Sequence, residues 1–187
     1  MGRIITRYVL SLLGGVFLLT QACAKNRALQ IPNSISDEEY SVYSAWINHH
    51  FKEAPPRLLL ASRTFIFDPL GSSGCNAKTL QNVVSPFLLQ RLHDLGEAEF
   101  PVLTGKFQLP QFKIPWKYEE SDLLPNPSAP YRLISFSRVV FDQSRTEGFF
   151  AVSDSCGGLC GGGGPLIATR KDGQWVFRSD LGCHWVS

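Results

Sequence analysis

The sequence carries almost no net charge. Lysine and arginine number 18 against 16 aspartates and glutamates, which gives a formal charge of +2 at pH 7. Removal of a leader of residues 1–22 would take away Arg3 and Arg7 and no acidic residue, leaving 16 charges of each sign. Proteins that bind nucleic acid normally carry a basic surplus that neutralises phosphates. We therefore expect no nucleic-acid partner.

Long apolar runs are also missing. The most apolar stretch, Val9 to Leu19, is shorter than the roughly 20 residues that a transmembrane helix needs, and Gly14 and Gly15 lower its helix propensity. A short basic segment with Arg3 and Arg7 precedes it, which is the pattern of an export signal. The sequence predicts a cleaved signal peptide over residues 1–22 rather than a permanent anchor.

The end of this leader allows two cleavage sites. Leu19-Thr20-Gln21-Ala22-Cys23 resembles a bacterial lipobox, whereas Ala22-Cys23-Ala24 fits ordinary signal cleavage after Ala24. We favour the lipobox, because a cysteine directly behind such a run would otherwise be a chance event. It predicts lipidation of Cys23, palmitate included, and attachment to the membrane through that lipid. Ala24 gives no retention signal of the aspartate type, so we expect an outer-membrane lipoprotein facing the periplasm.

Methionine and histidine are scarce, and the remaining four cysteines stand out. Two of them lie in Cys156-Gly157-Gly158-Leu159-Cys160, which continues into Gly161 to Gly164. The stretch lacks the Lys-Ser/Thr that ends a phosphate-binding loop. Its cysteine spacing is one residue longer than that of thioredoxin, and four glycines cannot propagate the helix that activates such a thiol. In the Gly-Gly-Pro-Leu that follows, Gly162 stands where a trypsin-like protease has its serine.

A zinc site is disfavoured for lack of a second ligand pair. Cys183 and His184 are neighbours in an extended segment and would point to opposite faces. Four thiols in an oxidising envelope are more often paired than metallated. Three pairings are possible, and we favour Cys156 with Cys160 and Cys75 with Cys183. We assign no catalytic, cofactor-binding or metal-ligating residue and expect no cofactor.

Hydrophobic periodicity divides the exported chain into a tether over residues 23–35 and one domain over residues 36–187. Ser36 and Glu39 form a capping-box pattern ahead of an amphipathic helix over 37–52. A strand is expected from Leu58 to Phe67, and Ser85-Pro86 marks the start of a second helix. Strands over 133–141, 148–153, 166–170 and 174–178 form two hairpins, the second at Asp172-Gly173. The fold class is α+β, an antiparallel β-meander in the C-terminal half with two N-terminal helices on one face.

Several of these segments resemble a group of uncharacterised bacterial exported proteins and lipoproteins. The resemblance rests on Glu39 to Ala45, on the strand Ser137-Arg138-Val139-Val140-Phe141, on the Cys156 to Gly161 turn and on Lys171-Asp172-Gly173-Gln174-Trp175. In that group an S-R-V-x-F strand, a C-G-x-x-C-G turn and a G-x-W strand recur in this order. The resemblance covers about half of the chain. It implies the fold and the compartment, and no activity.

Two functions remain open. The first is a non-enzymatic envelope module that binds an unknown protein or small molecule. The second is an envelope hydrolase near residues 154–160, in which Asp154, Ser155 and His184 would have to converge, although no nucleophile motif supports it. His49 and Glu53 lie four residues apart on the first predicted helix, but two ligands from one turn do not make a metal site. The sequence favours the binding module.

Overall fold

The structure is a computed structural model and describes residues 33–53, 57–69, 75, 77–112, 116–118, 131–156 and 160–186. Cys23, the signal peptide and most of the tether lie outside the described residues. No helix within the described ranges has the length and apolar character needed to cross a membrane.

Within the described residues, three helices, one 3₁₀ turn and eight strands follow one another. They are α1 (Asp37–His50), β1 (Leu58–Ala61), α2 (Ala77–Val83), α3 (Pro86–Asp94), the 3₁₀ turn Thr104–Lys106, β2 (Trp116–Tyr118), β3 (Arg132–Phe136), β4 (Val140–Phe141), β5 (Glu147–Ser155), β6 (Gly161–Lys171), β7 (Gln174–Arg178) and β8 (Trp185–Val186).

Helix α1 begins as its sequence predicts. The Ser36 side chain accepts a hydrogen bond from the Glu39 backbone N–H at 3.3 Å, and Glu39 Oε2 accepts one from the Ser36 N–H at 2.8 Å. The helix ends at His50 rather than residue 52, because Phe51 is extended at φ −105°. The second predicted helix is α3, with Ser85 as its N-cap and Pro86 in its first turn.

The strands form one mixed sheet with the main order β2-β1-β3-β5-β6-β7. Strands β5, β6 and β7 make the predicted antiparallel meander, and β4 and β8 add short antiparallel pairs to β5 and β6. The β6–β7 hairpin turns at Asp172 (φ 50°) and Gly173 (φ 79°), the left-handed geometry that an Asp-Gly turn favours. Strand β1 is shorter than predicted and lies parallel to β2 and β3.

The α+β class is confirmed, but the expectation that both helices share one face is wrong. Phe149 and Phe150 are consecutive on β5 and point to opposite faces, and both are fully buried. Phe150 lies in a core cluster with α1, whereas Phe149 packs with α2 and α3. Because β5 is apolar on both faces, each face needs a helical cover. The sheet is therefore the middle of three layers.

Between β3 and β4 the chain bulges. Phe136 pairs with Val152 and Val140 with Phe149, so three residues, 137–139, oppose two on β5. This interruption splits the strand predicted over 133–141. It also turns Arg138 into the interior, where Arg138 Nε lies 2.6 Å from Glu39 Oε1 and its guanidinium stacks 4.2 Å from the Phe100 ring centroid.

The segments that carry the family resemblance meet around α1. Glu39 is only 3 % exposed in its side chain and pairs with Arg138, and the Tyr43 hydroxyl donates to the Ser137 carbonyl at 2.7 Å. The Trp175 indole N–H donates to Ser41 Oγ at 3.0 Å. These residues fix the position of the helix on the sheet, so their role in the described structure is to build the fold.

The glycine run that follows the cysteine turn is extended and is part of a strand. Residues 161–164 form the first part of β6 and pair with residues 152–155 of β5. An added Cβ at Gly163 would lie 2.4 Å from the Val152 carbonyl oxygen and 2.5 Å from the Trp185 ring. The absence of a side chain at this position lets Trp185 pack directly on the sheet.

Candidate functional site

A groove of about 650 Å³ lies beside the last turn of α1, above the first half of β6. We call it the α1–β6 groove. Its walls come from α1, β3, β5, β7, the cysteine turn and the segment before β8. The lining residues are Trp46, His49, His50, Arg132, Val152, Asp154, Cys156, Cys160, residues 161–166, Phe177, Ser179, Cys183 and His184.

Residues 161–164 of β6 contribute backbone and no side chains to the groove. Asp154 is paired with Gly162 and Val152 with Gly164 across β5 and β6, and directly opposite residues in an antiparallel pair face the same side. An added Cβ at Gly162 would lie 2.9 Å from the Trp185 carbonyl oxygen, and one at Gly164 would lie 2.8 Å from the Cys183 carbonyl oxygen. The absent side chains therefore make room for the segment before β8, which lines the groove.

One end of the groove holds a charged cluster around Asp154. Arg132 reaches across from β3, with Nε 2.8 Å from Oδ1 and with Nη2 bonded to Oδ2. His50 Nε2 lies 3.2 Å from the same Oδ2. The Asp154 side chain is 11 % exposed, whereas those of Arg132 and His50 are 35 % and 42 % exposed. The His50 ring also stacks on Trp46, with 4.5 Å between ring centroids.

Asp154 is held in its charged form by these partners. Burial alone would raise the pKa of the carboxyl group, but hydrogen bonds from His50 and Arg132, together with the charge of the guanidinium, lower the pKa below its usual value. A carboxylate with a lowered pKa is a weak proton acceptor at neutral pH. Asp154 is therefore better suited to fixing Arg132 and His50 in place than to removing a proton from a substrate.

The cysteine turn borders this cluster. Cys156 and Cys160 lie at disulfide distance with their Cα atoms 5.2 Å apart, and the Cys156 N–H donates to the Cys160 carbonyl at 2.9 Å. Arg132 Nη1 lies 3.6 Å from Cys156 Sγ. The Arg132 guanidinium thus contacts the Asp154 carboxylate through two of its nitrogens. Its third nitrogen contacts the Cys156 sulfur.

The second cysteine pair lies away from the charged cluster. Cys75 and Cys183 are at disulfide distance, with Cα atoms 4.7 Å apart and a sequence separation of 108. Cys183 is 4 % exposed and packs in the core under α2 and α3. The structure therefore has both of the cysteine pairings that the sequence favours, and this second one ties the segment before α2 to the C-terminal segment.

Asp154 and His184 do not form the pair that the hydrolase alternative requires. His184 is exposed and lines the groove, but the described structure contains no hydrogen bond between it and Asp154. The histidine that contacts Asp154 is instead His50, the last residue of α1. Their separation of 104 positions in sequence explains why this pair was not predicted, because only the packing of α1 on the sheet brings them together.

The other residues considered from sequence do not form sites. Helix α1 ends before Glu53, so His49 and Glu53 do not share a helical face. Within the described ranges no group of three or more His, Cys, Asp and Glu side chains is placed to hold a metal ion. Cys23, the predicted lipidation site, lies outside the described residues. Comparison of the chain with known protein families, with curated proteins and with solved structures finds no match.

Proposed function

We propose that this protein is a lipid-anchored component of the bacterial cell envelope whose folded domain binds a small molecule in the α1–β6 groove. The observation that carries the binding role is the groove itself. Its volume of about 650 Å³ lies within the roughly 300–1,000 Å³ of small-molecule sites. Its lining combines apolar side chains with a few polar ones, which is the usual composition of such sites.

The envelope location rests on the N-terminal sequence and on the cysteines. The basic and apolar leader, followed by Cys23, supports export and lipid attachment, with the outer membrane as the expected destination. Two cysteine pairs at disulfide distance in a small chain support an oxidising compartment such as the periplasm.

The walls of the groove indicate the chemistry of the ligand. Trp46, Phe177 and Leu166 offer apolar or aromatic surface along the groove, and Arg132 and His50 offer hydrogen-bond donors at one end. Arg132 has N–H groups beyond those that contact Asp154 and Cys156. The ligand that fits is a small amphipathic molecule with an apolar body and an acceptor or anionic group facing Arg132.

Binding is favoured over hydrolysis by the state of Asp154. Both oxygens of this carboxylate already accept hydrogen bonds from Arg132, and one also contacts His50. In the described part of the chain no serine, threonine or cysteine side chain is hydrogen-bonded to His50, as a nucleophile paired with a general base would be. The hydrolase alternative therefore has an acid–base pair without an activated nucleophile.

Anilinonaphthalene sulfonate, an aromatic anion that fluoresces in apolar sites, is a suitable probe of this groove. We expect saturable binding of one probe molecule per protein. Ser179→Trp places a large side chain at the groove wall and should weaken binding at least tenfold. Val176→Trp is the matched control, since Val176 is 47 % exposed on β7 and does not line the groove. Both variants should keep the wild-type melting temperature within a few degrees.

The titration separates the proposal from its competitors. Equal binding by the wild type and by Ser179→Trp would place the probe elsewhere and contradict the proposed site. Turnover of chromogenic ester substrates by the wild type, lost in His50→Ala and retained in Val176→Trp, would establish the hydrolase instead.

A further inference from the structure

The cysteine turn has a contact with Arg132 that a purely structural disulfide does not require. We propose that Cys156 and Cys160 form a thiol–disulfide exchange site, in which a thiol attacks Cys160 and Arg132 stabilises Cys156 as the leaving thiolate. The inference rests on the position of Arg132 and on the unequal exposure of the two sulfur-bearing residues. It is independent of the proposed ligand in the groove.

The two cysteines differ in their surroundings. Cys160 is exposed, whereas Cys156 is partly buried at the wall of the α1–β6 groove. Arg132 Nη1 lies 3.6 Å from Cys156 Sγ. A nearby arginine lowers the free energy of a thiolate relative to the thiol, which is the condition that makes a cysteine a good leaving group. The exposed Cys160 is the sulfur that an incoming thiolate can reach.

Arg132 is fixed in the position that this role needs. Asp154 accepts hydrogen bonds from Nε and Nη2, so the guanidinium is oriented with Nη1 toward Cys156. The charged and titratable side chains that line the groove are Arg132 from β3, Asp154 from β5, His49 and His50 from α1 and His184 before β8. Arginine here takes the place of the helix N-terminus that activates the thiol in thioredoxin-like sites, which the extended glycine run cannot supply.

The exchange is balanced in two steps. A thiolate RS⁻ attacks Cys160 Sγ, the bond to Cys156 breaks, and its electron pair remains on Cys156 as a thiolate beside Arg132. A second thiol of the reductant then attacks the RS sulfur of the mixed disulfide, which releases RSSR and the Cys160 thiolate. The Cys156 and Cys160 thiolates take up protons to the extent that the pH allows. The Cys156–Cys160 pair gains two electrons, and the co-reactant, a dithiol or two thiols, is oxidised to a disulfide.

The other cysteine pair is an internal control. Cys183 is 4 % exposed, and Cys75 is partly buried against the same core. Burial limits access of a thiolate to Cys75–Cys183. The proposal therefore predicts that one disulfide exchanges and the other does not.

The test measures the reduction rate of each disulfide in the full exported chain, by quenching with a thiol-alkylating mass tag and mapping the peptides. The Cys156–Cys160 pair should react at least about tenfold faster than Cys75–Cys183. Arg132→Gln should slow the Cys156–Cys160 reaction about tenfold, whereas Arg63→Gln, which removes an exposed arginine paired with Glu99, should leave it unchanged.

The experiment is run in two arms, one with reduced glutathione and one with reduced thioredoxin as the reductant. A faster reaction with one of them at equal thiol concentration identifies a small thiol or a protein dithiol as the preferred partner.

Single-cysteine variants test the assignment of roles without altering Arg132. Cys160→Ser leaves Cys156 beside the guanidinium, and Cys156→Ser leaves Cys160 exposed to water. The thiol of Cys156 should ionise at a lower pH than that of Cys160 when thiolate absorbance is followed. The proposal is overturned if both disulfides are reduced at the same rate by both reductants. It is also overturned if Cys160 ionises at the lower pH, or if Arg132→Gln and Arg63→Gln react alike.

Discussion

Glu38 and Glu39 show how strongly the role of a residue depends on its burial. Glu39 and Arg138 form an ion pair in which the side chains are 3 % and 5 % exposed, and the carboxylate also accepts from the Val139 N–H at 3.2 Å. Glu38, one residue earlier, is 20 % exposed and pairs with Arg145 and Arg170, which are largely exposed. Substitution of each residue therefore compares a buried ion pair, that of Glu39, with a more exposed one, that of Glu38, within one helical turn.

Glu39→Ala should lower the free energy of unfolding by about 3–5 kcal/mol, because it removes the carboxylate that pairs with the buried Arg138 guanidinium. Glu38→Ala should cost less than about 1 kcal/mol, since water can replace its contacts. Urea denaturation of both variants measures the difference. Equal losses would show that Glu39 contributes no more than an exposed ion pair.

Asp154 gives a pH dependence whose sign follows from its lowered pKa. A carboxyl group with a lower pKa in the folded protein stabilises the fold above the pKa of the unfolded chain. This contribution is lost as the pH falls below the ordinary value of 3.8 and through the folded value. At pH 7 Asp154→Asn should be less stable than the wild type by about 1.5–3 kcal/mol. The difference in stability between the wild type and Asp154→Asn should disappear below pH 3.8 when both are followed by thermal denaturation. A difference that grows toward acid pH would contradict a lowered pKa for Asp154.

At the scale of elements, strand β6 determines where the groove lies. Its glycines remove side chains on the α1 side, and Gly163 lets the Trp185 ring approach on the other side. Strand β5 supplies Asp154 and Val152, and α1 ends directly above them. The groove is thus bounded by the end of one helix, by a strand whose first four residues lack side chains, and by the segment before β8.

Gly163→Ala should destabilise the fold by about 1–3 kcal/mol, because the added Cβ would lie 2.4 Å from the Val152 oxygen and 2.5 Å from the Trp185 ring. Gly105→Ala is the matched control, since no heavy atom lies within 4 Å of its added Cβ and its change should stay within about 0.5 kcal/mol. Chemical denaturation of both proteins checks this. Similar stability of the two variants would mean that Trp185 does not pack on β6 as described.

Short sequence patterns predicted the helices and strands. The site could not be predicted in the same way, because it depends on contacts between residues that are distant in sequence. The capping box of α1, Ser85-Pro86 and the Asp172-Gly173 hairpin each specify their own conformation. The bulge at Arg138 and the helix α2 were missed, because nothing nearby in sequence requires them. His50 could not be connected with Asp154, since their contact depends on how α1 lies across the sheet.

At the scale of the whole molecule, the described residues form a three-layer domain with a groove on its α1 face, and export and lipid attachment are proposals that concern the N-terminal residues. If the lipid is attached to Cys23, labelled palmitate should be incorporated into the wild type and not into Cys23→Ala. Ala24→Asp should still be labelled but should fractionate with the inner membrane. Unlabelled wild-type protein recovered in soluble form, with Lys25 at its N-terminus, would instead show ordinary cleavage after Ala24.

The most direct test of the central claim, that the α1–β6 groove binds a small molecule, is native mass spectrometry of the protein isolated from envelopes. The wild type and Val176→Trp should carry the same additional small-molecule mass, and Ser179→Trp should lack it. Retention of that mass by Ser179→Trp at the wild-type level would contradict the account.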